Sequence, residues 1–217
     1  MQASAARMIA KRCFDFLVAA ILLLVLLPLL LLIALAVAVG SGRPVIYRAQ
    51  RVGRGGKQFA MLKFRTMVAG ITGPAITRES DPRITRVGAV LRRTKLDELL
   101  QLVNVLRGEM SLVGPRPEDP RFVAMYTPEQ CEVLTIRPGI TSPAAIRYRH
   151  EEALLTTDAD ENFEEVYATT LMPAKLALDL DYAHRRNFWM DIALLCQSLT
   201  AVLSWRHRES PRLLAPS

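Results

Sequence analysis

The sequence has few cysteines, and their arrangement excludes two classes of small cross-linked fold. The chain has 217 residues and three cysteines. Cys13, Cys131 and Cys196 are odd in number and widely spaced, so they indicate neither a disulfide framework nor a zinc site. A chain of this length can bury a sizeable core without such cross-links. We therefore expect one domain that folds by hydrophobic packing, with its thiols reduced in the cytosol.

Acidic and aromatic side chains are scarce between residues 43 and 95. This block has thirteen lysines and arginines but two acids, Glu79 and Asp81, which gives a net charge of +11. Such a block is typical of proteins that meet anionic lipid, nucleic acid or phosphorylated ligands, although a solvated basic face has the same composition. Its three aromatics, Tyr47, Phe59 and Phe64, are few for stacking bases. A membrane-anchored, non-catalytic binder of anionic lipid or nucleic acid is nevertheless one rival interpretation.

Polar side chains are absent from Phe16 to Val39, a run of twenty-four residues. At about 1.5 Å per residue, a helix of this length crosses a hydrocarbon core of roughly 30 Å. Lysines and arginines flank both ends, which conflicts with the positive-inside rule if the ends lie on opposite sides. Pro28 lies near the middle and favours a kink. The residues leave two interpretations open, an ordinary transmembrane helix and a re-entrant helix that returns to the same face.

Short strands and helices are predicted after the apolar run. Residues 44–47 and 59–64 have β-like composition, and the glycines at 53, 55 and 56 indicate a hairpin turn. Tyr182 to Trp205 repeats apolar residues at helical spacing, so this helix either packs on the core or lies in the membrane interface. We predict an α+β chain, mainly helical, with a membrane anchor at residues 1–42, a compact catalytic domain at 43–205 and a flexible tail at 206–217.

A central helix is predicted around residues 96–107. Thr94 is a candidate N-cap with Asp97 three residues on, as in a capping box. Leucines and valines repeat at helical spacing from Leu96, and Gly108 can end the helix in a left-handed conformation. Asp97 on its own is therefore explained as a capping acid that the helix dipole favours.

Glu98 is a second acid that a cap does not need. Adjacent carboxylates can divide the work of a reaction, one as nucleophile and the other as ligand of a divalent cation. Mg²⁺ binds through one or two carboxylates together with substrate phosphates, and the arginines before Asp97 suit the same phosphates. Arg116 lies between two prolines that fix its backbone, although a turn with a solvent-facing arginine has the same pattern. These residues indicate chemistry on a phosphorylated substrate.

At these residues the chain resembles the bacterial sugar transferases of the monotopic phosphoglycosyl transferase family. The resemblance extends from about Lys11 to Val202 and consists of many ordered blocks. The matching blocks are Lys11-Arg12-Cys13-Phe14-Asp15, Gln50-Arg51-Val52-Gly53, Lys63-Phe64-Arg65-Thr66-Met67, Asp81 to Gly88, Leu91 to Gln101, Gly108 to Pro117 and Arg137 to Thr141.

The resemblance implies a fold and a mechanism. The apolar run would be a re-entrant helix kinked at Pro28, on the cytoplasmic face of the bacterial inner membrane. Asp97 would attack the β-phosphate of a UDP-sugar, release UMP and carry the sugar phosphate until polyprenyl (undecaprenyl) phosphate takes it, while Glu98 holds Mg²⁺. The residues that would contact substrate or phosphate are Arg92, Arg116, Lys63, Arg65 and Arg137. The implied partners are the UDP-sugar, polyprenyl phosphate and the lipid bilayer, with no nucleic acid; a homo-oligomer is left open.

The chain departs from the family pattern at three places. Leu100 replaces the usual proline of Asp-Glu-Leu-Pro-Gln, and Leu27-Pro28 replaces the usual Ser-Pro at the membrane kink. Residues 142–147 replace a Gly-Trp segment that could contact the donor, so the donor sugar is not predicted. Glu151 to Glu165 has seven acids and no cation, which leaves two interpretations open, a segment that covers the basic block within the chain and a mobile acidic loop. A catalytically dead scaffold of the same family is a second rival to the enzyme.

Overall fold

The computed structural model describes residues 2–71, 73, 77, 81–149 and 163–203. Its first element is α1, Gln2–Ser41, which continues through Pro28 as one helix. Within the described residues, α1 is the one helix long and apolar enough to cross a membrane by length and composition. Large apolar side chains exposed along it are Phe16, Leu17, Ile21, Leu24, Val25, Leu27, Leu31, Leu32, Leu35 and Val39. The predicted apolar anchor is confirmed as a helix, and its kink and re-entry remain predictions.

The opposite face of α1 packs against the rest of the chain. Ala19 joins a core cluster with Met110 and Val105, while Val37 joins a second cluster with Phe64. Polar contacts hold both ends of α1. Near its start, Arg12 donates to the backbone oxygens of Val105 and Leu106 at 2.6 and 3.0 Å, and at its end the Ser41 hydroxyl donates to Thr85 Oγ1 at 2.9 Å. The anchor is therefore fastened to the same body at both ends.

The predicted hairpin is confirmed and is longer than the sequence indicated. Strand β1, Ile46–Val52, pairs antiparallel with β2, Gln58–Phe64, through a 3₁₀ turn at Arg54–Gly56. The buried amide of Asn104 fixes β2, because its Oδ1 accepts from Leu62 N at 3.0 Å and its Nδ2 donates to Ala60 O at 2.8 Å. The hairpin is thereby held against the helix that follows the candidate acids.

The predicted capping of the central helix is wrong. Helix α2 spans Arg86–Thr94, so Thr94 is its last residue, and the Thr94 hydroxyl donates back to Val90 O at 2.8 Å. Lys95 then adopts a left-handed conformation, φ 57°, which turns the chain into a 3₁₀ segment at Leu96–Glu98. Helix α3 is shorter than predicted, Gln101–Arg107, and has no side-chain N-cap. Gly108 does end it with φ 82°, as expected.

A second small sheet brings two later segments together. Strand β3, Ser111–Val113, runs parallel to β4, Gly139–Thr141, with Val113 opposite Thr141. Between them lie α4, Pro120–Val123, and a 3₁₀ segment, Gln130–Thr135. Helix α5, Pro143–Arg147, follows β4 directly. Because parallel strands leave a sheet at the same edge, the loop after β3 and the start of α5 are neighbours.

Helices complete the described fold. Helix α6, Phe163–Val166, continues through a π-helical turn at Tyr167–Leu171 into α7, Met172–Arg185. Helix α8, Phe188–Leu203, comes after a break. The mainly helical α+β architecture is confirmed, but the single helix predicted from Tyr182 to Trp205 is wrong, since Tyr182 belongs to α7.

One face of α8 packs on the core and the other is open. Asp191 and Leu194 are buried, whereas Trp189 and Leu199 are exposed. Packing on the core is thus confirmed for one face, and contact of the open face with the membrane interface stays a prediction. Most of the predicted acidic loop, residues 151–162, and the tail at 206–217 lie outside the described residues.

Candidate active site

The two adjacent acids lie in the 3₁₀ turn between α2 and α3. The left-handed Lys95 reverses the chain after α2, and Glu98 N donates to Lys95 O at 3.3 Å. This turn directs Asp97 inward, where it is 6% exposed. The short turn, rather than a helical first turn, thus fixes the direction of both carboxylates.

Asp97 is a buried carboxylate with an unfilled acceptor. Within the described part of the chain, Asp97 Oδ1 has no hydrogen-bond partner. Burial raises the pKa of Asp97, and the nearby Glu98 charge adds to the effect, while Lys63, Lys95 and Arg92 oppose it. An anion that is poorly solvated and incompletely hydrogen-bonded is a better nucleophile than one held by several donors.

Glu98 has the opposite environment. Its Oε1 accepts from Lys63 Nζ at 2.8 Å and from Arg116 Nη2 at 3.0 Å. Burial disfavours its charge, but Arg116, Lys63 and Lys95 outweigh that cost and hold the pKa of Glu98 well below its usual range. Two neighbouring carboxylates whose pKa values move apart are a recurrent arrangement in active sites.

The loop between β3 and α4 positions Arg116. Prolines on both sides restrict the backbone, and Arg116 N donates to Asp179 Oδ2 at 3.1 Å. The predicted residues Lys63, Arg116 and Glu98 are therefore brought together, and Arg92 is near enough to act on the charge of Asp97. The cations around the turn outnumber its two carboxylates, so the positive charge that remains can bind substrate phosphates.

The described contacts of two predicted phosphate-binding residues, Arg65 and Arg137, are with backbone carbonyls of other segments. Arg65 is 5% exposed, its backbone N–H donates to Val45 O at 2.8 Å, and its guanidinium donates to Ser41 O at the end of α1. Arg137 Nε donates to Gly108 O at 2.9 Å, beyond the far end of α3 from Asp97. The described contacts give both arginines a role in joining segments, and contact with phosphate remains a prediction for each.

Comparison with known proteins decides the family. The model of the family described as bacterial sugar transferase matches residues 6–205. The chain belongs to the bacterial sugar transferases.

Three relatives illustrate the range of this family. The UDP-glucose:undecaprenyl-phosphate glucose-1-phosphate transferase of Caulobacter vibrioides is 37% identical over 199 residues, covering 89% of this chain and 70% of the relative. The exopolysaccharide production protein ExoY of Rhizobium meliloti is 35% identical over 212 residues, covering 89% and 85%. The UDP-N-acetylgalactosamine-undecaprenyl-phosphate N-acetylgalactosaminephosphotransferase of Aeromonas hydrophila is 32% identical over 201 residues, covering 89% and 44%. The resemblance drawn from the sequence motifs is confirmed.

Several buried polar residues of this sugar transferase were missed by sequence reasoning. Asp179 and Lys175 lie one helical turn apart on α7, and both are buried. Lys175 Nζ donates to the Tyr167 hydroxyl at 3.2 Å, and that hydroxyl donates to Glu118 beside the Arg116 loop. The available signal was the spacing of a lysine and an aspartate on one helix face, which is also typical of a solvent-exposed ion pair.

The carboxylate ligands available in this sugar transferase suit a magnesium ion whose coordination shell is completed by oxygens of the substrate. In the described ranges, no group of three His, Cys, Asp or Glu side chains could hold a metal. Mg²⁺ commonly binds through one or two carboxylates and completes its shell with water and phosphate. Glu98, which its surroundings keep ionised, is such a carboxylate.

Proposed function

We propose that this protein transfers a sugar 1-phosphate from a UDP-sugar to polyprenyl (undecaprenyl) phosphate. The observation that carries the proposal is the Asp97–Glu98 turn, in which buried Asp97 has an unfilled Oδ1 and its neighbour Glu98 is held by Lys63 and Arg116. Family membership supports the choice of substrates, since relatives are named for UDP-sugars and undecaprenyl phosphate. Such a transfer is the first membrane step in assembling a surface polysaccharide or glycoconjugate.

In the first step, an oxygen of the Asp97 carboxylate attacks the β-phosphorus of the UDP-sugar. The bond from that phosphorus to the oxygen bridging the two phosphates breaks, and UMP leaves with the bonding electrons. Asp97 then carries the sugar phosphate as an acyl phosphate. The buried setting of Asp97 favours attack, because little hydration has to be removed from the carboxylate. Arg92 and Lys95 supply positive charge beside an anion that approaches a diphosphate.

In the second step, a phosphate oxygen of polyprenyl phosphate attacks the phosphorus bound to Asp97. The phosphorus–carboxylate bond breaks, Asp97 is restored as a carboxylate, and the product is a polyprenyl diphosphate sugar. Donor and acceptor thus use the same carboxylate in turn, which predicts ping-pong kinetics.

Glu98 and the cations around it have a supporting role in the proposal. Glu98 would hold Mg²⁺, which would supply charge neutralisation to the diphosphate when it is bound. Arg116 and Lys63 share Glu98 Oε1, so the carboxylate keeps both cations oriented toward the turn that contains Asp97. Positioning of this kind accounts for a large part of catalysis in phosphoryl transfer.

The membrane arrangement in the proposal is monotopic, at the cytoplasmic face of the inner membrane. Arg12 near the start of α1 and Ser41 at its end both bond to the domain that contains Asp97. These contacts support a helix whose two ends stay on one side of the bilayer, with a bend at Pro28 in the lipid. Labelling of Cys13 in a Cys131→Ser, Cys196→Ser background, and of an Arg43→Cys variant that carries Cys13→Ser as well, tests it in oriented vesicles. Both sites label from the same side in the proposal, and labelling from opposite sides contradicts it.

UMP release tests the reaction. The purified protein is incubated with Mg²⁺, undecaprenyl phosphate and either UDP-glucose or UDP-N-acetylgalactosamine, the two donors in the relatives' names. We expect UMP and a lipid-linked sugar diphosphate with at least one donor of a wider UDP-sugar panel. Without the lipid acceptor, we expect a hydroxylamine-sensitive acyl phosphate adduct on Asp97, detected by intact mass. Absence of UMP from every donor contradicts the proposal and favours a non-catalytic scaffold or binder.

A further inference from the structure

Asp179 connects two segments that the sheet brings side by side. Its side chain is 4% exposed on α7. Asp179 Oδ2 accepts from Arg116 N at 3.1 Å, and Asp179 Oδ1 accepts from Ala144 N at 3.2 Å. The hydroxyl of Ser142, the N-cap of α5, is a third partner. One carboxylate therefore holds the loop after β3 and the first turn of α5 together.

The parallel pair β3–β4 explains why these segments meet. The strands end opposite each other, at Val113 and Thr141, and Gly114 N still donates to Thr141 O at 3.0 Å. One more backbone bond follows, from Gly139 N to Pro115 O at 2.9 Å, and α7 supplies Asp179 to the next residue, Arg116. The carboxylate thus adds to these backbone bonds in fixing the Arg116 backbone.

The chain of contacts leads from Asp179 to the candidate catalytic turn. Asp179 holds the backbone of Arg116, and the Arg116 guanidinium donates to Glu98 Oε1 at 3.0 Å. We propose that Asp179 is a positioning residue for the transfer reaction, which sets the direction of Arg116 and through it the charge environment of Asp97 and Glu98. This inference rests on the proposed function. It also ties α5, where the chain departs from the family pattern, to the same point.

A carboxylate is the side chain that this position requires. Two backbone N–H groups and a hydroxyl converge on it, and an ionised carboxylate has acceptors alone. An asparagine presents an N–H₂ group to at least one of these donors, so the loop or α5 must shift. A displacement of about 1 Å at a positioning residue can reduce turnover by about 100-fold.

A role in stability alone is the competing explanation, and Asp191 is its matched control. Asp191 is also 4% exposed and accepts from Lys11 Nζ at 2.7 Å and from the Tyr182 hydroxyl at 2.5 Å. Its described contacts join α1, α7 and α8 and do not include Arg116. Substitution of either aspartate therefore removes a carboxylate that is equally buried, but the Asp179 substitution also acts on the loop that contains Arg116.

A double-mutant cycle separates the two explanations. The full-length protein and the variants Asp179→Asn, Arg116→Ala and their combination are assayed for kcat/KM of UMP release with UDP-glucose and Mg²⁺, or with the accepted donor of the panel. The affinity for UDP is measured on the same four proteins by calorimetry. We expect Asp179→Asn to reduce kcat/KM by about 10–100-fold in the wild-type background and by no more than about twofold when Arg116 is already alanine. The effect of Asp191→Asn should multiply with that of Arg116→Ala.

Equal fold-losses from Asp179→Asn with and without Arg116 overturn the positioning role and leave the proposed reaction intact. If Asp179→Asn does not fold, Asp179→Ser is used in the same cycle. If neither folds while Asp191→Asn does, Asp179 is a structural residue and the inference is wrong. A wild-type protein that neither releases UMP nor binds UDP refutes the proposed function, and this inference with it.

Discussion

Replacement of Asp97 by asparagine should abolish transfer and at the same time stabilise the fold. The side chain is buried, its Oδ1 lacks a partner among the described residues, and burial raises its pKa. A buried acceptor without a partner costs about 1–3 kcal/mol, and more when it is charged. Asparagine keeps the acceptor but removes the charge, so we expect a gain at the low end, about 1 kcal/mol.

The gain in stability from Asp97→Asn should become smaller as the pH is lowered. Because the pKa of Asp97 is higher in the folded state than in the unfolded state, folding favours its protonated form. The charge therefore costs no stability below the unfolded pKa of about 4. The cost grows as pH rises from there and is complete above the folded pKa. The difference between Asp97→Asn and the wild type should be present at neutral pH and should decrease as the pH is lowered toward about 4.

Thermal unfolding in detergent at several pH values, together with UMP release, measures both effects. For a chain of this size, about 1 kcal/mol raises the midpoint by roughly 2–4 °C. The exposed variant Glu129→Gln, which changes the net charge in the same direction without removing a buried charge, is the control for a general change in net charge. A variant that melts below the wild type at neutral pH refutes the reasoning about burial. A variant that still forms the lipid-linked product refutes Asp97 as the nucleophile.

Three further substitutions test the surroundings of the turn. Glu98→Gln removes the charge that two cations share and should cost about 3 kcal/mol, seen as a lower unfolding midpoint together with slower UMP release; an unchanged midpoint contradicts it. Lys63→Met removes a cation that lowers the pKa of Asp97, so the acid limb of the pH profile of UMP release should move to higher pH. An acid limb that stays in place would contradict the effect of Lys63 on Asp97. Gly88→Ala places a Cβ 1.9 Å from the backbone oxygen of Thr66 and should destabilise by about 1–3 kcal/mol with little change in donor KM; wild-type stability would show that the backbone yields easily.

Local sequence signals predicted the elements whose causes are local. The glycines between β1 and β2 predicted the hairpin, and Gly108 predicted the end of α3. The capping box at Thr94 failed although its pattern is also local. The chain adopts a left-handed turn at Lys95, and the Thr94 hydroxyl bonds back into α2 instead of forward. The packing of α2 on α1, and of the 3₁₀ turn at Leu96–Glu98 on β2, overrides the capping preference here.

The candidate site was predicted in part, for a comparable reason. Asp97, Glu98 and Arg116 could be named because they stand in recognisable blocks of sequence, and the structure brings Glu98 and Arg116 within 3.0 Å. Asp179 could not be named, since its partners lie 63 and 35 residues away and depend on the parallel pairing of β3 with β4. Periodicity shows which face of a helix is buried but not which distant backbone groups reach that face.

The contacts that hold the start of α1 to the rest of the protein form in a defined order during synthesis. Lys11 meets Asp191 across 180 residues, and Arg12 meets the carbonyls of Val105 and Leu106 across 93 and 94. At about 5–20 residues per second, the ribosome reaches Asp191 roughly 10–35 s after Lys11. In that interval Lys11 has Asp15 one turn away as its partner, at 3.6 Å. Helix α1 is thus synthesised first, and its contact with Asp191 can form only after the start of α8 has been made.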